Sequence, residues 1–221
     1  IIYSIVATVL GVVVMAMLAY PLSRPNYKYK KIATFFIFFT MLFSGGLIPT
    51  YIWITRYLHL GDTIWVYILP CLVNAFHVIV IRSFFQGLPQ ALMESAKIDG
   101  ASELQTFFKI VMPLSKPVIA TISLLTLLSR WNDWNTALIY IKSSNLYSLQ
   151  YLLQKILREA EFVKNMADSS PVAGMDLDLS NLPSVTIRFA MCMVAAGPML
   201  IIFPFFQKYF AKGLTVGAVK G

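Results

Sequence analysis

Five runs of nearly unbroken apolar residues divide this chain, at 1–20, 32–54, 64–85, 118–141 and 185–206. A helix needs about 20 apolar residues to cross the hydrocarbon core of a bilayer, because lipid offers its backbone no hydrogen-bond partner. Each run reaches that length and none shows a polar face. The pattern predicts an all-α membrane protein, a polytopic helical bundle with five transmembrane helices in this chain. The second run contains Ser44-Gly45-Gly46 and Pro49, which predicts a kink or a close helix contact in its outer half.

The polar segments between the runs give an orientation. Residues 21–31 carry Arg24, Lys28, Lys30 and Lys31; residues 87–117 carry Lys97, Lys109 and Lys116; the tail carries Lys208, Lys212 and Lys220. If the five runs alternate, all three segments lie on one side, which the positive-inside rule makes cytoplasmic. The turn 55–63 and the loop 142–184, with Asp168, Asp176 and Asp178, then face outside. The first residue is outside too, so a preceding helix is expected in the intact protein, for six spans.

Within the outer loop, Leu149, Leu152, Leu153, Ile156, Leu157, Ala160 and Val163 recur at helical spacing over 148–163. This amphipathic helix can lie on the membrane surface or cap the bundle. The turn-rich stretch after it reads as a loop open to a partner.

Residues 87–117 break the apolar pattern most strongly. Pro89 suits a first helical position, and a helix can continue to Ile98. Asp99-Gly100 ends it, since Gly permits positive φ and Asp can cap a following helix. A second helix over 101–111 puts Leu104, Phe107, Phe108 and Val111 on one face, and Pro113 and Pro117 stop it and launch the next span. Two adjacent phenylalanines outside the membrane need cover, from the bundle itself or from a groove on another protein.

Composition narrows the function classes. With 58% hydrophobic and 13% charged residues, the chain has more apolar side chains than a soluble domain of its length buries. A net charge of +8 in a soluble protein would suggest nucleic acid, but here the basic residues flank apolar runs and follow topology, so no nucleic-acid partner is expected. Cys71 and Cys192 lie within apolar runs without metal-ligand spacing, and no metal site is expected. No GxxxxGK[ST], HExxH, GxSxG or paired carboxylates occur, so the chain itself is expected to hold no catalytic residues and no ATP. A secondary transporter would show repeated halves and ion-linked carboxylates, and neither is visible.

Polar residues at membrane depth are the remaining candidates. Trp131-Asn132-Asp133-Trp134 could line a sugar path, with Trp faces on sugar CH surfaces and Asn and Asp on hydroxyls. Alternatively Arg130 and Asp133 pair with each other and the tryptophans form an interfacial belt. Asn74 and His77 are placed on one helical face, either bonding between helices or meeting a ligand, and Arg82 can snorkel. Arg56, Arg130 and Arg188 outnumber the single membrane acid, Asp133, which points to an acidic cargo.

Glu94-Ser95-Ala96, Gly100, Ile110 and Met112-Pro113 resemble the EAA loop of permease subunits of binding-protein-dependent ABC importers. ESAKIDGA at 94–101 with Phe107, Phe108 and PLSKP at 113–117 resembles the sugar-importer branch, as do WNDW at 131–134 and the terminal FFQKYFAKGLTVGAVKG. Ser95 stands where the family has a second Ala, and Met112 where it has an aliphatic residue. FSGGLIPTY at 43–51 resembles the branch that handles complex oligosaccharides such as lipo-oligosaccharide or uronate-rich polymers.

The resemblance implies a multi-pass protein of the bacterial inner membrane that pairs with a second permease subunit, an ATP-binding cassette ATPase dimer and an external sugar-binding protein. It implies that ATP and Mg belong to the ATPases, with no cofactor on this chain. It also implies that 87–117 is the coupling loop, with Glu94, Ala96, Asp99, Gly100, Leu104, Phe107, Phe108, Ile110 and Pro113 at the ATPase contact. In that reading Leu104, Phe107 and Phe108 form an apolar knob, while Glu94 and Asp99 hold the bend.

Overall fold

The computed structural model describes residues 1–169 and 185–218, and among them every regular element is helical. Asp176, Asp178 and Lys220, and the side chains of Ala160, Val163, Asp168, Arg188, Lys208 and Lys212, lie outside what is described.

Helix α1 (Ile2–Ser23) is the hub. Its small residues Ser4, Ala7, Ala16 and Ala19 are buried and let neighbouring backbones approach, while Met15, Tyr20 and Leu22 fill the remaining space. Around it pack α4 (Ala75–Gln86) and the long helix α7 (Lys116–Trp131), contributing Val78, Ile81, Phe85, Val118 and Ile122 to one core.

Among the described residues two helices are each long and apolar enough to cross a membrane, α1 and the stretch Phe189–Gln207 of α10 (Val185–Ala218). The second and third apolar runs are not straight spans. Helix α2 (Lys30–Leu42) turns by 112° into α3 (Leu47–Tyr57), through an extended Phe43 and a Gly46 at φ +83°. The kink expected at Ser44-Gly45-Gly46 is thus a sharp reversal of direction. The third run begins as a short 3₁₀ segment, Ile64–Cys71, and meets α4 at 45°.

The fourth run is also divided. Helix α7 ends at Trp131 with Asn132 as its C-cap, and the chain resumes as the short α8 (Asn135–Tyr140). The amphipathic stripe lies on α9 (Leu149–Ser169), which packs against α10. A wholly apolar cavity of about 340 Å³ between them is lined by Leu149, Leu152, Leu153, Ile156, Met191 and Val194.

Contacts gather the polar segments at two ends of the bundle. Arg24 meets Met93 and Glu103 at one end, and Asp62 meets Lys142 and Ser143 at the other.

Candidate functional site

The segment 87–117 is built from backbone signals that can be followed residue by residue. Helix α5 (Gln90–Ile98) ends with Asp99 as C-cap and Gly100 at φ +76°. The Gly100 amide donates to the Lys97 carbonyl at 3.1 Å and the Ala101 amide to the Ala96 carbonyl at 2.9 Å, the paired bonds of a left-handed helix stop.

The next helix, α6 (Glu103–Leu114), starts on Ser102. Ser102 Oγ accepts from the Gln105 amide at 3.2 Å, and Gln105 Oε1 accepts from the Ser102 amide at 2.9 Å. This capping box, not Asp99, starts the helix. Among the described residues the carboxylates of Glu94 and Asp99 make no hydrogen bond or ion pair, so their expected role in holding the bend is corrected. Pro113 does not end α6 either. The helix runs on to Leu114, and the chain turns by 81° into α7 beside the buried Ser115. A π turn at Phe107–Val111 widens α6 in its middle.

That wider turn separates the two phenylalanines. Phe107 is buried in the bundle, its ring centroid 5.1 Å from that of Tyr20, whereas Phe108, Leu104 and Ile98 remain 52%, 62% and 86% exposed. The expected three-residue knob is therefore corrected: Phe107 belongs to the chain's own core, and Ile98 joins the exposed apolar set. Ala96 is buried and Ile110 half-buried behind that surface, and Pro113 is exposed.

Sequence reasoning did not assign Tyr20, Arg24 and Glu103, which tie α1 to this segment. Tyr20 donates its hydroxyl proton to Glu103 Oε2 at 2.7 Å. Arg24 donates to the Tyr20 hydroxyl oxygen, contacts Met93 Sδ, and stacks its guanidinium 4.4 Å from the Tyr20 ring centroid. Only the S-x-x-Q spacing of Ser102 and Gln105 was readable beforehand as a cap.

The structure engages most of the candidate pathway residues with protein. Arg130 Nη1 lies 3.5 Å from Asp133 Oδ2 and also meets Cys71 Sγ. Asp133 accepts from the Thr136 amide at 3.0 Å and from the Thr136 hydroxyl at 2.7 Å, which makes it the cap that starts α8. The Tyr3 hydroxyl donates to the Arg130 carbonyl at 3.2 Å and the Ser148 hydroxyl to the Asp133 carbonyl at 3.1 Å. The buried Trp131 donates its indole N–H to the Ala195 carbonyl at 2.8 Å. Trp134 is half-buried under the Arg158 guanidinium, 5.2 Å from the ring centroid, and Asn132 is exposed.

His77 and Asn74 part company. His77 Nδ1 lies 3.4 Å from Thr126 Oγ1 and bridges α4 to α7. Asn74 is exposed and caps α4, accepting from the His77 amide at 3.1 Å. Arg82 donates its Nε proton to the Leu22 carbonyl at 3.0 Å, satisfying the end of α1. Arg56 is exposed.

The far end is closed by Asp62, an aspartate in left-handed backbone at φ 55°. It accepts from the Ser143 hydroxyl at 2.6 Å and from the amides of Ser143 and Lys142 at 2.8 and 2.9 Å. These bonds, the Ser143 hydroxyl foremost, hold its carboxyl below the ordinary aspartate range.

The protein is similar along nearly its whole length to known transport proteins. It is 41% identical over 224 residues to the polygalacturonan/rhamnogalacturonan transport system permease protein YtcP of Bacillus subtilis, covering 99% of this chain and 74% of that one. It is 34% identical to the arabinooligosaccharides transport system permease protein AraQ of the same organism, covering 97% of this chain and 69% of that one. A crystal structure of a bacterial ABC transporter involved in the import of the acidic polysaccharide alginate superposes with a TM-score of 0.74 at 32% identity, covering 94% of this chain and 73% of that chain. Residues 1–216 match the family described as binding-protein-dependent transport system inner membrane component, and the chain belongs to that family as a non-catalytic permease subunit of an ABC importer.

Proposed function

We propose that this chain is one of two permease subunits of an ATP-driven importer in a bacterial inner membrane, and that it moves an acidic, uronate-rich oligosaccharide handed over by an external solute-binding protein. Segment 87–117 faces the cytoplasm and docks on an ATPase subunit. The observation that carries this reading is the exposure of Ile98, Leu104 and Phe108, at 86%, 62% and 52%, on a segment studded with Glu94, Lys97, Asp99 and Lys109. Apolar side chains among such charges do not face lipid, and a protein groove is the cover that suits them.

In this reading Ile98, Leu104 and Phe108 form the contact, with Glu94 and Asp99 at its rim. Ala96, Phe107, Ile110 and Pro113 support it, and Gly100 sets its angle. ATP binding closes the ATPases, carries the segment with them and rocks the helices joined to it. In this reading the chain crosses the membrane five times, with α2–α3 and the segment Ile64–Cys71 with α4 as bent spans, and the fourth run divided between α7 and α8. Broken spans expose backbone and polar side chains only where a cavity or another chain covers them.

Asn132 and Asn74 are polar groups open to a sugar, with Trp134 and His77 each half-buried. Trp131 and Asp133 frame the path. The similarity to a polygalacturonan/rhamnogalacturonan permease and to an alginate importer supports an acidic cargo.

The test is uptake by the complete complex in proteoliposomes, with galacturonate oligomers offered beside neutral arabino-oligomers. Uptake of the uronates is expected, and exclusive uptake of the neutral sugar overturns the acidic cargo. Cross-linking from Phe108→Cys to the ATPase is expected, and its absence in the assembled complex overturns the docking.

A further inference from the structure

We infer that Tyr20, Arg24 and Glu103 form a latch that carries movement of segment 87–117 into α1, the hub of the bundle. The inference rests on the docking role proposed above and adds the path by which force leaves the docked segment.

The geometry gives the reason. Helix α6 reaches α7 through an 81° turn at Ser115, so its C-terminal end alone would transmit motion through a hinge. At its N-terminal end, Glu103 is held by the Tyr20 hydroxyl at 2.7 Å, and one turn further on Phe107 packs its ring 5.1 Å from the same tyrosine. A single α1 side chain thus grips α6 at two successive turns, by a polar bond and by an aromatic contact.

Arg24 locks the grip. Its guanidinium donates to the Tyr20 hydroxyl oxygen, lies 4.4 Å from the ring centroid and contacts Met93 of α5. It therefore joins both helices of the segment to the end of α1. Its own ion pair with Glu103 is long, at 3.9 Å, and the Glu103 side chain is 70% exposed. An exposed pair of that kind contributes little by itself. The working contact is the hydroxyl bond, which Arg24 polarises by donating to the same oxygen.

Glu103 is a positioning residue in this scheme, and three properties separate that role from a merely structural one. Its exposure means that Glu103→Ala leaves folding and assembly intact. Its partner is a neutral hydroxyl, so Glu103→Gln keeps the acceptor and restores most of what Glu103→Ala loses. Tyr20→Phe keeps the ring against Phe107 and removes only the hydroxyl.

The experiment measures oligosaccharide taken up per ATP hydrolysed by the complete reconstituted importer, with Phe108→Cys cross-linking to the ATPase followed in each background. Tyr20→Phe and Glu103→Ala are each expected to lower the ratio about fivefold, the factor that one lost hydrogen bond of ordinary strength produces. The double variant is expected to do no more than either single one, because both remove the same bond. If the cross-link forms and the ratio is unchanged in both single variants, or the two losses multiply, the latch is overturned while the docking stands. If the cross-link does not form in the otherwise unaltered complex, the docking reading fails and the latch falls with it.

Discussion

Phe107 and Phe108 are neighbours in the chain with their ring centroids 4.8 Å apart, yet one is 2% exposed and the other 52%. Phe107 is held inside by Tyr20 and the core of α1, α4 and α7. Phe108 borders a shallow cavity with Met112, Pro113 and Ile119 and keeps half of its surface outside.

Opposite consequences follow for truncating the two rings. Phe107→Ala removes a buried aromatic and is expected to destabilise the permease by about 3 kcal/mol or more, lowering its unfolding temperature in detergent and the yield of assembled complex. Phe108→Ala is expected to leave that temperature unchanged and to weaken co-purification of the ATPase. Equal thermal effects would contradict the assignment of the two rings to different surfaces.

Gly100 offers a test of backbone geometry free of steric crowding. It sits at φ +76°, and a Cβ added there meets nothing within 4 Å. Gly100→Val therefore introduces only conformational strain, about 1–2 kcal/mol for a left-handed L-residue, and somewhat more for a β-branched one. The expected outcome is lower uptake per ATP with a normal amount of inserted protein, and partial recovery in Gly100→Asn, since Asn tolerates positive φ. Full activity in the valine variant would show that the angle of α5 to α6 does not matter.

Asp133 distinguishes framing from cargo contact. Its carboxylate serves Arg130 at 3.5 Å and both donors of Thr136, at 3.0 and 2.7 Å. Asp133→Ala leaves a partly buried guanidinium without its partner and uncaps α8, so a loss of about 2–4 kcal/mol in stability is expected. Cargo half-saturation in the protein that does assemble is expected to stay at the unaltered value. A large rise in half-saturation with normal assembly would move Asp133 into the cargo site.

The Asp62 clasp carries a pH dependence whose sign follows from its depressed pKa. A carboxyl held below its unfolded value of 3.8 contributes stability that is present above that value and is lost as pH falls through the lower, folded one. Hydrogen exchange at the amides of Lys142 and Ser143 is expected to stay slow at pH 5 and to accelerate only below the ordinary aspartate range. Asp62→Asn is expected to exchange faster at neutral pH, and to show no such acid step.

Much of the arrangement was legible in the chain before any fold was known. The apolar runs announced helices, and among the described residues two of them, α1 and the stretch Phe189–Gln207 of α10, are unbroken and long enough to cross a membrane. Gly100 announced the stop between α5 and α6, Ser44-Gly45-Gly46 a break in the second run, and the 149–156 stripe a helix with one apolar face. These are local properties, set by what a residue and its near neighbours permit.

Other features depended on which distant groups meet. Helical periodicity put Phe107 and Phe108 on one surface, but the π turn and the reach of Tyr20 from α1 decided that only one is covered. Spacing allowed Arg130 to pair with Asp133 or to face a cargo, and packing beside Cys71 and Thr136 chose the pair. Periodicity set Asn74 beside His77 on one face, whereas the break before α4 made Asn74 a cap and left His77 to reach Thr126. Tyr20 with Glu103, and Asp62 with Ser143, join residues 83 and 81 positions apart, which no local pattern couples. The chain alone thus determined where helices can form and stop, because those choices are made within a turn or two of backbone. Tertiary structure decided which side chains are buried, paired or left open to a partner, because that depends on contacts between segments far apart in sequence.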